Sequence, residues 1–250
     1  MRRELIPKGF PAHFIRRGVR GLSFARDNSD KWRNLQALFY LNDFSSRENW
    51  FRELEESRKT EKREGSKQNF FIWPNSWPKR NPLISLWAFT FTGNHDHFIG
   101  EETQKRGISK FMQKINISTA KHFNEKYGEK GTVFQGSYQI KIIEHDKYLQ
   151  WVVPYVMVKN TFEMHPKGYK WAINNFEEAW KWAINYPFSS LGDYADVRNS
   201  PIVTTGPLKK ILGDSKEFKK LCKYMILGRE RIENSEFSEI TYFSFEEKFK

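Results

Sequence analysis

Apolar residues recur along this chain with two different periods, and the order of those periods sketches a fold. Ala12 to Val19 reads as a strand leading into a glycine-bounded turn, Arg17-Gly18-Val19-Arg20-Gly21. From Lys31 to Leu54 the positions Trp32, Leu35, Leu38, Phe39 and Leu41 have helical spacing, with Asp30 placed to cap the helix. Glu55 to Asn69 follows with nine charged residues in fifteen, a helix end or an insertion with no packed face, and Pro74, Pro78 and Pro82 punctuate a loop. Residues 55–82 are therefore expected to be an insertion. Leu83 to Phe91 is an apolar run of the kind found in central buried strands.

The clearest amphipathic helix is Arg106 to Tyr127, whose stripe is Ile108, Phe111, Met112, Ile115, Thr119 and Phe123. Gly128 to Gly131 ends it, and Thr132 to Ile143 is predicted as a strand. Asp146 can cap a further helix, Lys147 to Lys159, in which Pro154 should produce a kink or an early stop. Beyond it lie Trp171, Trp180, Trp182 and Tyr186 to Leu191, read as packing aromatics, and a helical pattern around Phe218, Leu221, Tyr224 and Leu227. Strands alternating with helices in this order predict an α+β chain, a sheet faced by helices.

Charge narrows the class of partner. The 250 residues carry 42 Lys and Arg against 30 Asp and Glu, a formal +12, which favours nucleic acid or an acidic membrane surface. Half of that excess lies in Met1 to Arg33, where nine basic residues face three acidic ones. Arg16, Arg17 and Arg20 are thus candidates for phosphate contacts, together with Lys110 and Lys114 on the basic side of the 106–127 helix and Lys141 on the following strand. The single cysteine, Cys222, permits no internal disulfide and fits a reducing cytoplasmic compartment. No apolar stretch approaches a membrane span, so no membrane partner is expected.

Candidate chemistry sits in Asn94-His95-Asp96-His97, just after the apolar strand. If the strand persists, its two-residue period turns His95 and His97 to one face and Asp96 to the other. Two adjacent imidazoles can hold a divalent metal, or can simply stabilise a loop by hydrogen bonds. Tyr155, among apolar neighbours, reads by itself as a core tyrosine.

Four segments taken together carry a resemblance: His13-Phe14-Ile15-Arg16-Arg17-Gly18-Val19-Arg20, Asn94-His95-Asp96-His97, Ile108 to Gly136 ending in Val133-Phe134-Gln135-Gly136, and Tyr148-Leu149 leading to Tyr155. With them the chain resembles the REP-associated tyrosine transposases, a bacterial branch of the HUH single-tyrosine transposases. The segments Tyr186-Pro187-Phe188-Ser189-Ser190 and Ile211-Leu212-Gly213 to Phe218 are similar to that family's C-terminal region. The resemblance implies a ferredoxin-like antiparallel sheet with helices on one face plus a helical C-terminal extension. It divides the chain into a catalytic domain, residues 1–165, and an aromatic-rich helical extension, residues 166–250. It also implies a divalent ion, Mg²⁺ or Mn²⁺, held by His95 and His97, and Tyr155 as the nucleophile that cleaves and rejoins DNA through a 5′-phosphotyrosine. The implied partner is hairpin-forming single-stranded DNA, engaged by a monomer or a homodimer at the nucleoid.

Two positions depart from that pattern. Asp96 stands where the family has a bulky apolar residue, so its carboxylate needs a partner on the far face of the sheet or must itself coordinate something. The family's third metal ligand is an amide four residues after the tyrosine, but Lys159 occupies that position and the amide, Asn160, comes one residue later. A lysine ammonium cannot ligate a metal. Asn160 serves if Pro154 changes the helix phase; Glu144, His145 and Glu163 are alternatives, and a degenerate site is another. Three functions follow as expectations: a transposase working through Tyr155, a domesticated DNA-hairpin-binding protein without activity, and a metal-dependent hydrolase that uses water.

Overall fold

A computed structural model describes residues 6–7, 9–45, 49–63 and 71–232. Four strands form one antiparallel sheet: β1 (Pro11–Arg17), β2 (Ile84–Phe91), β3 (His95–Glu102) and β4 (Gln139–Ile142), in the order β2-β3-β1-β4. Helices α1 (Asn28–Tyr40) and α2 (Trp50–Arg63) connect β1 to β2, and α3 (Gly107–Tyr127) connects β3 to β4. The β-α-β-β-α-β order with this strand arrangement is the ferredoxin-like, split βαβ topology.

Both faces of the sheet are covered. On one, Phe14, Phe89, Phe91 and Phe98 pack against Leu35 and Leu38 of α1 and Ile108, Phe111, Met112 and Ile115 of α3. On the other, Ala88 and Ile99 pack against the chain after β4: α4 (Asp146–Pro154), α5 (Asn160–Glu163), α6 (Tyr169–Asn174), α7 (Phe176–Ala183), α8 (Leu191–Tyr194), α9 (Gly206–Leu212) and α10 (Ser215–Ile232). The helical extension therefore shares a core with the sheet, and Trp180 packs against Phe176 and Phe218. Among the described residues no helix is long and apolar enough to cross a membrane.

Several boundaries differ from the sequence reading. The cap of α1 is Asp27: it accepts from the Asp30 amide while Asp30 accepts from the Asp27 amide, a reciprocal capping box that puts Asp30 inside the helix. The helix expected through Leu54 stops at Tyr40, because Asn42 turns the chain onto β2, accepting from the Leu83 and Ile84 amides and donating to the Ile84 carbonyl. Within the expected insertion, α2 extends through Arg63, residues 64–70 lie outside the described residues, and Trp73 and Trp77 pack on Tyr40. The strand expected from Thr132 is only Gln139–Ile142. Residues before it instead bond to the end of β1: the Val19 amide donates to Val133 and the Gln135 amide to Arg17.

Candidate functional site

The tight turn between β2 and β3 sets the first part of the site. Gly93, at φ 96°, lets the chain reverse, and the Thr92 hydroxyl and the Asn94 side-chain oxygen lie 2.9 and 2.6 Å from His95 Nδ1. His95 and His97 then share one face of β3, with ring centroids 4.9 Å apart. His13, on β1, lies on the same face, and its Nε2 is 3.0 Å from His97 Nδ1. Burial holds His97 neutral, its pKa well below the ordinary 6.5, helped by His13, His95 and Lys159; burial and then Lys141 depress His13 to about 3. Neutral imidazoles are the form that binds metals.

Tyr155 is supplied by the chain crossing this face. Pro154 ends α4, and Tyr155–Lys159 forms a π turn in which the Asn160 amide bonds back to the Tyr155 carbonyl, five residues earlier. Proline has no N–H to give and its ring crowds the preceding turn, so α4 ends there. The extra residue puts Asn160, not Lys159, one turn along from Tyr155. Asn160 is fully buried, and neither its Oδ1 nor its Nδ2 has a hydrogen-bond partner; the Nε2 of buried His97 has none either. Buried amide groups are almost always satisfied, so these atoms stand open to water or to a ligand.

The Tyr155 ring meets His97 edge-on at 5.6 Å, and the Lys159 ammonium lies 5.1 Å from the Tyr155 ring centroid while pairing with Glu163 at 2.7 Å. One face thus gathers His13, His95, His97, Tyr155 and Lys159. Among the described residues no group of three or more His, Cys, Asp and Glu is arranged to hold a metal. A metal here would draw on the two histidines and the Asn160 amide oxygen, a set that the orphaned His97 and Asn160 atoms fit. Glu144, His145 and Glu163 add no such group.

Asp96 finds its partner on the opposite face. Its Oδ2 accepts from Arg16 Nε at 2.7 Å, and Arg16 Nη2 is 2.7 Å from the same oxygen, with both side chains 1% exposed. Burial pushes the Asp96 carboxyl up to about 6 against the pull of Arg16, leaving it ionised at neutral pH. Arg16 is therefore corrected from a phosphate contact to an internal one, since its guanidinium is out of reach of solvent. Arg17 and Arg20 remain at the end of β1, Arg20 exposed and at φ 55° in the turn. Lys141 shares the histidine face of the sheet, paired through His13 in the β1–β4 register. Lys110 and Lys114 belong to α3 on the other face: the Lys114 ammonium bonds the carbonyl oxygens of Asp43 and Ser45, and that of Lys110 sits 4.8 Å from the Phe44 ring centroid. His13 lies in the first of the segments that carry the resemblance, and its alternation onto the same face as His95 and His97 is the sequence signal that singles it out.

No curated protein sequence matches this chain. Among solved structures, one of a REP-associated tyrosine transposase bound to a REP hairpin is similar, at 16% identity over 82% of this chain and 90% of that one, with a TM-score of 0.36. The segment that carries His95, His97, Tyr155 and Lys159, residues 79–159, matches the family model of the IS200-like transposases.

Proposed function

We propose that this protein cleaves and rejoins single-stranded, hairpin-forming DNA, with residues 1–165 carrying the chemistry and 166–250 the extension that backs it. The observation that carries this reading is the π turn, which sets an unpartnered buried amide, Asn160, one turn from Tyr155, whose ring meets His97, a buried histidine with an unpartnered Nε2. His95, His97 and Asn160 would hold Mg²⁺ or Mn²⁺, and such an ion, when bound, supplies positive charge to the scissile phosphate.

Tyr155 Oη attacks the phosphorus, the bond to the 3′ oxygen breaks, and the tyrosine proton ends on that oxygen. A 5′-phosphotyrosine and a 3′-hydroxyl result. A tyrosine with a pKa near ~10 is a weak nucleophile at neutral pH, so a neighbouring cation that favours negative charge on it is required. The Lys159 ammonium over the ring is that cation, and Glu163 holds it there. A 3′-hydroxyl from another strand can reverse the step, because the phosphodiester energy is kept in the protein link. Arg17, Arg20 and Lys141 line the approach for the flanking strand.

Incubation with a hairpin-bearing oligonucleotide and Mn²⁺, followed by denaturing electrophoresis, tests this. A covalent adduct that Tyr155→Phe abolishes is expected. Tight, salt-sensitive binding without cleavage under any divalent ion would leave the hairpin-binding alternative, and cleavage without an adduct would point to water as nucleophile.

A further inference from the structure

In most half-exposed sheets the alternation of apolar and polar residues fixes strand register, because a slip by one residue turns the apolar set to solvent. That device is weak here. Both faces of this sheet are covered, and neighbouring residues are apolar on either side: Phe14 and Ile15 on β1, Phe98 and Ile99 on β3 are all buried. A one-residue slip of β3 against β1 would keep apolar side chains inside yet carry His95 and His97 to the α1–α3 face.

The ion pair distinguishes the two registers. Arg16 stands directly opposite Asp96 in the β1–β3 pairing, between the pairs Arg17–His95 and Ile15–His97. The guanidinium is fixed from behind by a hydrogen bond to Thr119 of α3 at 3.1 Å, whose hydroxyl donates in turn to Asn34 of α1. The rings of Phe24 and Phe134 lie 5.0 and 5.2 Å from it. A one-residue slip would send Asp96 to the other face and leave two buried charges without each other, a heavy penalty in a water-excluded core.

We propose that Arg16 and Asp96 are positioning residues, whose ion pair on the far side of the sheet sets the register that turns His95 and His97 toward Tyr155. The proposal rests on the functional reading above for what the histidines then do. The pair also fixes the diagonal approach of His13 to His97, which exists only in this register.

The test is the double variant Arg16→Met, Asp96→Leu, which removes both charges together and keeps the volume apolar, so the fold is retained. Its melting temperature should stay near that of the wild type, while Mn²⁺ affinity by calorimetry falls about 10- to 100-fold. Undiminished affinity in the folded double variant overturns the proposal. Asp96→Asn, which keeps shape and one acceptor, is the second variant: a several-fold loss supports the proposal, and full affinity counts against it. Nitrogen-15 shifts of the His97 ring, recorded in EDTA, read the His13–His97 bond without metal. One tautomer in the wild type and a mixture in the variants supports positioning; one tautomer throughout overturns it. If the wild type binds no Mn²⁺, the functional reading falls, and these shifts still decide the role of the pair.

Discussion

His13 Nε2 and His97 Nδ1 lie 3.0 Å apart, joined across β1 and β3 with their rings stacked at 5.3 Å and 17°. One ring nitrogen of His97 is thereby committed to protein, and its Nε2, which has no hydrogen-bond partner, is the nitrogen left for a ligand. A histidine ligand whose second nitrogen is hydrogen-bonded is the usual arrangement at metal centres, because that bond fixes ring orientation.

Stability should therefore depend on pH in a definite direction. His13 is held at about 3 and His97 well below 6.5, whereas both titrate near ~6.5 in the unfolded chain. Their contribution is complete above the unfolded value and is lost progressively as pH falls below it, because the unfolded state binds the protons. Asp96, raised to about 6, acts with the opposite sign between about 3.8 and 6 and offsets one of the two histidines there. Urea denaturation in EDTA should show stability falling from pH 7 to 5. In His13→Asn that slope should be shallower by up to about 1.4 kcal/mol per pH unit. An unchanged slope would contradict the buried neutral state of His13.

Lys159 and Asn160 are adjacent in sequence, and the proposed function gives them different work. Asn160→Ala should weaken Mn²⁺ binding by about 10-fold or more, the scale of a lost ligand or ligand support. Lys159→Ala should leave Mn²⁺ affinity within a few-fold and instead slow adduct formation by about 10- to 100-fold, as expected when a cation beside a nucleophile is removed. Calorimetry and single-turnover cleavage separate the two, and a reversed pattern would mean that the π turn does not bring Asn160 to the metal.

The basic residues divide by face. Arg20→Ala and Lys141→Ala should each lower affinity for single-stranded DNA and reduce the slope of log affinity against log salt by about 0.7, the value for one phosphate contact on a single strand. Lys114→Ala should leave the slope unchanged, because that ammonium already serves the carbonyls of Asp43 and Ser45. Fluorescence anisotropy across a salt series checks all three.

Gly107 opens α3 where the helix crosses the start of β2. A Cβ there would lie 2.0 Å from the Leu83 carbonyl oxygen, which already accepts from the Thr103 and Gln104 amides and cannot swing away. Gly107→Ala should destabilise the protein by about 1–3 kcal/mol, measured by the urea midpoint, through displaced backbone alone.

Much of this was legible in the chain itself. The apolar stripe of α3 and the run forming β2 are strong because burial dictates every position in them, and the alternation of His95 and His97 needed only the strand to persist. What escaped was long-range. The segment Val133 to Gln135 looks like a strand but spends its amides and carbonyls on the end of β1, a competition that no local pattern records. Asp96 looked costly because its partner lies 80 residues away at Arg16. The amide one place too late after Tyr155 made sense only with the π turn, for which Pro154 was the single local hint.

The segment Phe188 to Ser190 runs along the outer side of β2, where the Phe91 amide donates to Phe188, the Ser190 amide to Phe89, and Ser189 bridges Thr90. An open sheet edge is a template for joining other chains, and on this side it is already taken. This segment is thus a guard against aggregation as well as a cover. Cutting the chain before Tyr186 would bare a row of unpaired β2 backbone groups and yield a sticky fragment instead of a smaller stable domain.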